Sequence, residues 1–288
     1  MKTYLDCLPC FVQQALNSGR IATKNDNKIK ELIDQVGCML RDIPMQNTPP
    51  QTGDLIYRKI REITGVFDPY KKIKEASIKD ALKAYPGLKQ IVDKSNNRLL
   101  TAIRIAIAGN IIDFGVSKTF NLNEDIRIIL KQDFAIFHFQ QFVEQLTLAK
   151  SILYLGDNAG ESVFDKILIE ELGKPVTYAV RETPVINDVT FSDAVDSGLD
   201  QVAKIISSGS SAPGTILPLC NEDFIRQFEE ADMIISKGQG NYEGLSTVDQ
   251  SVFFLLKAKC KVIAKDLHVK ENDIVLKVSD NNMQKSIQ

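Results

Sequence analysis

Along the first half of the chain, apolar residues return every three or four positions. Phe11-Val12 pairs with Ala15-Leu16, and Ile29 with Leu32-Ile33, Val36 and Leu40, the spacing of a helix that buries one face. Prolines 44, 49 and 50 predict a loop over Asp42 to Thr52, after which Ile56, Ile60 and Ile63 resume the helical period. Asp68-Pro69-Tyr70 predicts a helix opening on its proline. From Leu99 to Ala108 the chain is apolar nearly all round, which predicts a helix buried on every side. A further helical pair is expected, one through Ile126, Ile129 and Leu130 and one through Ile136, Phe139, Val143 and Leu146.

Near residue 150 the pattern changes. Short apolar runs, Ser151 to Leu155, Val176 to Val180, Val202 to Ile206 and Met233 to Ser236, predict strands. Between them, Val163 to Leu172, Asp193 to Gly198 and Phe224 to Ala231 predict helices. A helix is expected over Val248 to Leu256, a fifth strand over Lys261 to Ala264, an edge strand over Ile274 to Val278, and a frayed tail from Asn281. This alternation implies βαβ units: an α/β, Rossmann-like domain over 151–288 with a mainly parallel sheet and helices on both faces, preceded by a helical region over 1–150.

Composition narrows the function classes. The 288 residues carry 35 Lys+Arg against 37 Asp+Glu, a net charge of -2, so no basic footprint for nucleic acid is present. No apolar run is long enough for a membrane span, and MKTYLDCLPC lacks the apolar core of a signal peptide, so a cytosolic, membrane-free protein is the expectation. Five cysteines, an odd number, argue against a disulfide framework. Cys7-Leu8-Pro9-Cys10 is the one CxxC; without a second pair it gives little support to structural zinc, and it does not follow a strand as a thioredoxin-like motif would.

In such a sheet, ligands collect beyond the carboxyl ends of the strands. There the sequence places Asp157, Asn158 and Glu161, then Arg181 to Asp188, then Ser207 to Ser211, then Lys237-Gly-Gln-Gly-Asn241, and finally Lys259 and Lys265. Carboxylate and amide oxygens suit Mg²⁺ or Mn²⁺. Lysines and glycine-flanked amides suit phosphate. Each turn has an ordinary reading as well: Asp157-Asn158 as a turn or helix cap, Lys237 to Asn241 as a flexible loop. Several such turns on one edge point to metal-assisted chemistry on a phosphorylated molecule. The Walker motif, GxGxxG and GxSxG are all missing from the sequence. Ahead of the sheet, Asn110 and Asp113 place polar groups in an apolar context, as an internal cap or as residues leaning over the strand ends.

Taken in order, YLDCLPCFVQQAL, DPYKKIKEAS, AIAGNIIDFG, LGDNAGE, RETPVINDVTFSDA, SKGQGNYEGLS and LLKAKCKVIAK resemble the damage-control phosphatase family (domain of unknown function 89), in its short archaeal and bacterial branch. The resemblance implies a divalent-metal-dependent phosphatase acting on a small phosphorylated metabolite, with Mg²⁺ or Mn²⁺ bound and Co²⁺ or Ni²⁺ as further candidates. It implies that Asp157, Asn158 and Asp188 hold the metal and carry the catalysis. It assigns Lys237, Gln239 and Asn241 to substrate, Lys259 to phosphate (with Lys257 and Lys261 as alternative registers), and matches Asn110 and Asp113 to the Gly-Asn-x-x-Asp pattern. Gln239 departs from distant eukaryotic members, which carry an acid there. Glu161 is expected to serve the helix N-terminus or to support the metal ligands. Two rival readings follow the same residues: a carboxyl methyltransferase using S-adenosylmethionine at the Gly156 loop, and a metabolite- or metal-binding protein without turnover.

Overall fold

The computed structural model describes residues 1–109, 128 and 130–279. Five helices open the chain: α1 (Cys7–Ala22), α2 (Asp26–Asp42), α3 (Pro49–Thr64), α4 (Lys71–Asp93) and α5 (Arg98–Gly109). Local chemistry sets their starts. The Asn25 side chain accepts from the Asn27 and Lys28 amides to cap α2. Thr48 and Gln51 form a capping box ahead of α3, with Pro49 and Pro50 in its first turn, so the expected loop ends sooner than Thr52.

The sheet contains β1 (Phe134–Phe137), β2 (Ile152–Leu155), β3 (Val176–Val180), β4 (Lys204–Ser207), β5 (Met233–Lys237), β6 (Val252–Lys257) and β7 (Ile274–Val278). Its order is β1-β7-β6-β5-β2-β3-β4. The strands from β6 to β4 are parallel, while β7 runs antiparallel to β6 and pairs parallel with β1. Further α-helices among the described residues are α6 (Phe139–Leu148), α7 (Ser162–Leu172), α8 (Phe191–Asp196), α9 (Glu222–Glu230), α10 (Gly238–Leu245) and α11 (Lys261–Asp266). Alternate strand residues fill two cores. Tyr154, Tyr178, Ile235 and Leu255 meet α5 and α7 on one face. Leu155, Ile234 and Phe254 meet Phe228 of α9, Tyr242 of α10 and Ile263 of α11 on the other. The chain is therefore mixed α/β with a mostly parallel sheet covered on both faces. β1 lies before residue 150, and Ile103 of α5 shares a core with Phe164 of α7, so the sheet and its cover reach back into the first half.

Several elements differ from expectation. Val252 to Lys257 is a strand and Lys261 to Asp266 a helix, the reverse of the sequence reading. A Val-Phe-Phe-Leu-Leu run buried on both faces has no alternation, so its period cannot separate a central strand from a buried helix. Phe134 to Phe137 is a strand, and the helix expected through Ile136 begins only at Phe139. β7 lies inside the sheet between β1 and β6, not at its edge. In the segment Lys237 to Asn241, open to reading as a loop, Lys237 ends β5 and Gly238 to Asn241 start α10. Ile126, Ile129, Asn110, Asp113 and the tail from Asn281 lie outside the described residues.

The helical region also grips the sheet's loops. Val185, just past β3, joins the core of Phe11, Leu32, Val36 and Ile56. The Arg61 guanidinium donates to the Pro184 carbonyl at 3.1 Å.

Candidate active site

After β3 and β4 lead outward to one edge, β5 returns to the opposite side of β2. That reversal opens a crevice at the carboxyl ends of β2 and β5. The turn after β2 and the start of α10 meet there. Gly238 adopts φ 78°, and a Cβ on it would lie 1.9 Å from the Asp157 Oδ2. The Asp157 carboxylate therefore rests directly against the first residue of α10, where the helix dipole favours negative charge. Gly238→Ala should displace Asp157 and cost upward of about 1 kcal/mol through its positive φ; an unchanged melting temperature would rule this contact out as a constraint.

The same helix is held from its other side by glycine. A Cβ on Gly240 would meet the Pro213 carbonyl at 2.2 Å, and one on Gly244 would meet the Thr215 carbonyl at 2.1 Å. The glycines of Lys-Gly-Gln-Gly-Asn-Tyr-Glu-Gly thus let the 213–215 loop approach α10 backbone to backbone.

Two loops then lock together. Asn158 and Asp188 form an isolated antiparallel bridge. The Val189 amide donates to the Asp157 carbonyl and the Ala159 amide to the Asn187 carbonyl, each at 2.8 Å. Ile186, with φ 46°, sits in the left-handed region, a strained conformation for a β-branched residue. It packs at the margin of the helical core and, with Asn187 and Asp188, lines the cavity. The Asn158 amide donates to Asp157 Oδ2 at 3.2 Å and Glu161 Oε2 at 3.3 Å, so the atom it can offer a cation is Oδ1.

Asp157 and Asp188 are 8% and 4% exposed. Burial first, then Glu161 and Asp188, raise the Asp157 carboxyl above the usual range, against Lys259 and Arg181. Burial likewise raises Asp188, against the Arg181 guanidinium. Among the described residues, no three His, Cys, Asp or Glu side chains are gathered as a metal-holding group; the expected set includes an amide. The donors fit a hard divalent cation on chemical grounds, because buried carboxylates crowded together would be relieved by positive charge.

Asp157, Asn158, Asp188, Gln239 and Lys259 all line one cavity of about 520 Å³. Lys259 is exposed in its wall, and its amide donates to the Gln239 Oε1 at 3.3 Å. Lys261 lines it too, whereas Lys257, the last residue of β6, pairs with Ile274 of β7.

Two expected substrate contacts prove internal. Lys237 is fully buried, its ammonium donating to Glu161, to Asp165 at 2.7 Å and to the Ala106 carbonyl at 2.8 Å. Burial pulls Lys237 down, but Asp165 and Glu161 more than offset this and hold it above its usual value. Asn241 is also fully buried. Its amide donates to the Gly156 and Lys237 carbonyls, and its oxygen accepts from Arg181 and Thr215. Both residues hold the site together from beneath. Glu161 precedes α7 without a side-chain cap bond and ties Lys237 to Asn158 instead.

Arg181 is the organiser the sequence did not single out. Only 2% exposed, it donates to Asp188 at 2.8 Å, Thr215 at 3.3 Å and Asn241 at 2.9 Å. Its one signal was position, directly after a strand and ahead of an acid. Cys7, Cys10, Glu243 and Cys260 also line the cavity. The CxxC was visible in sequence; its place at this pocket was not.

A Rossmann-like sheet with a carboxylate-amide turn at its switch point, gripped by an N-terminal helical region, defines the class of α/β protein. The chain belongs to the family of the damage-control phosphatase ARMT1-like domain, whose model matches residues 3–275. It is 34% identical over 282 residues to a damage-control phosphatase of Pyrococcus horikoshii, covering 96% of this chain and 97% of the relative. It is 31% identical over 281 residues to a damage-control phosphatase of Archaeoglobus fulgidus, covering 94% and 97%. An uncharacterised protein of Methanocaldococcus jannaschii is 34% identical over 284 residues, covering 94% and 93%. A crystal structure of a domain-of-unknown-function-89 protein from Pyrococcus horikoshii superposes with a TM-score of 0.90 at 33% identity, covering 97% of this chain and 100% of that one. Among the described residues, no helix is long and apolar enough to cross a membrane.

Proposed function

We propose that this chain is a phosphatase that hydrolyses a small phosphorylated metabolite with the aid of a divalent cation, Mg²⁺ or Mn²⁺, with Co²⁺ or Ni²⁺ as further candidates. The family and its named damage-control relatives support a phosphatase. The observation that carries the metal reading is the locking of the Asp157-Asn158 turn to Asp188 at the wall of a cavity that also takes Lys259 and Lys261. Asp157, Asn158 and Asp188 would hold the cation, which when bound polarises a phosphoryl oxygen and acidifies water. Arg181 fixes the Asp188 carboxylate by its 2.8 Å bond, so that oxygen is oriented before substrate arrives. Lys259 and Lys261 bring positive charge to the phosphoryl oxygens. Apolar residues of the wall, Phe11, Pro49, Pro50 and Val262, receive the rest of the metabolite and exclude water beside it.

The Gly156 loop gives no support to methyl transfer. A Cβ there would meet the Tyr178 hydroxyl at 2.5 Å, so this glycine makes room for a buried tyrosine and not for the methyl donor.

The test is phosphate release from a panel of sugar phosphates, nucleotides and phosphopantetheine derivatives with each of the four metals. Release that depends on added metal is expected and should disappear with a chelator. Binding without release from any member would overturn the reading in favour of a non-catalytic binding protein.

A further inference from the structure

The five cysteines are all free thiols, and three of them face the pocket. Cys7 is the first residue of α1 and Cys10 lies one turn on, so their side chains share a helix face. Cys7 is 9% exposed and Cys10 is exposed. Cys260 faces them from the segment before α11 and accepts from the Gln239 amide at 3.6 Å. The metal and phosphate roles above use none of these sulfurs.

Two roles are disfavoured. A thiol that attacks phosphorus at every turnover needs a stabilised thiolate, whereas slow thiol–disulfide exchange proceeds through the minor thiolate fraction. Burial instead pushes the Cys7 and Cys10 thiols up, and the nearby Glu243 carboxylate, the Cys260 thiol and, for Cys10, Asp6 add to it, against a hydrogen bond from the Tyr4 backbone amide at Cys7. A thiolate metal site needs gathered ligands, and no such group of three is found among the described residues. A vicinal dithiol has a further chemistry open to it.

We propose that Cys7 and Cys10 are a reversible disulfide site in the wall of the pocket, whose oxidation lowers turnover. The consequence for turnover rests on the phosphatase reading; the disulfide itself does not. The oxidant is a small-molecule disulfide. The exposed Cys10 sulfur attacks one oxidant sulfur, breaking its S–S bond, forming a mixed disulfide and releasing one small thiol. The Cys7 sulfur then attacks Cys10 Sγ, forming the Cys7–Cys10 bond and releasing the second small thiol. The protons of the two protein thiols end on the two released thiols, and two electrons pass to the oxidant. The first-turn amides of a helix lack intrahelical partners, so this turn can adjust to the bond. Asp6 and Phe11, which flank the pair, line the same cavity. Linking the two sulfurs therefore moves part of the substrate's wall.

The experiment incubates the purified full chain with oxidised glutathione, then counts thiols in denaturant, maps linked peptides and measures turnover of p-nitrophenyl phosphate with Mn²⁺. Thiols should fall from five to three, with Cys7 and Cys10 in one linked peptide. Turnover should fall at least about tenfold, since small displacements at a reacting site cost that much or more, and dithiothreitol should restore it. Cys10→Ser should lose the sensitivity, read as the ratio of its own turnover with and without oxidised glutathione; Cys38→Ser should remain sensitive. Five remaining thiols, a bond between other cysteines, or undiminished turnover of the linked form would each overturn the proposal. Should neither form release phosphate, the phosphatase reading fails by itself. The thiol count then still decides the bond, and hydrogen exchange at residues 186–188 decides the pocket's response, with no difference between the two forms overturning it.

Discussion

Asp157→Asn is expected to abolish metal-dependent phosphate release while leaving the folded chain at least as stable as the parent. Residues that only support metal ligands cost on the order of 10–100-fold when lost, so removing a ligand should cost at least about a hundredfold. The stability half of the expectation comes from the metal-free site. Asp157 is buried beside Glu161 and Asp188, which with burial raise its carboxyl above the ordinary range. A neutral amide of the same shape removes that repulsion and keeps the close packing against Gly238. Loss of function with unchanged or raised melting temperature is the pattern of a site whose charge is kept for chemistry. Turnover and thermal denaturation of the same preparation, both without added metal and with it, check the two halves. Wild-type turnover in a folded Asp157→Asn chain would remove Asp157 from the proposed ligand set.

The convergence of Asp157, Asn158 and Asp188 was legible because it depends on chain order. Short apolar runs end, polar turns follow, and a parallel sheet gathers such turns on one edge. The positions of Gln239 and Lys259 at the pocket follow from the same rule. What could not be read depends on partners distant in sequence. Lys237 ends a strand, where a phosphate-binding lysine could sit, yet Glu161 and Asp165 from another turn and helix enclose it. Asn241 shows the same failure, its five hydrogen bonds reaching Gly156, Arg181, Thr215 and Lys237. The exchange of strand and helix after residue 250 has a local cause. In Val252 to Leu256 every residue is buried, so no polar face marks the period. Lys261 to Asp266 is too short for a helical repeat to show.

Lys237→Met should be among the most destabilising single substitutions in the chain. The ammonium is enclosed with Glu161 and Asp165, and both carboxylates are themselves buried. Two tyrosine hydroxyls, of Tyr154 and Tyr178, donate to Asp165 at 2.7 and 2.8 Å, but neither brings a positive charge. Methionine fills the same length and leaves two buried carboxylates without their cation, a change that costs about 3–5 kcal/mol. The pH dependence has a definite sign. Burial already raises Asp165 above the ordinary carboxylate range despite Lys237. Without Lys237, the Asp165 carboxyl should sit higher still in the folded state, further above its unfolded value. Such a group contributes no penalty when protonated in both states, and an increasing one as pH rises above its unfolded value, about 4. The deficit relative to the parent should therefore be largest near neutrality and shrink toward that value. Urea denaturation of both proteins across that range is the measurement. Equal midpoints near neutrality would show that Lys237 is dispensable to the buried cluster. A deficit that grew as pH fell would reverse the assigned charge state of Asp165.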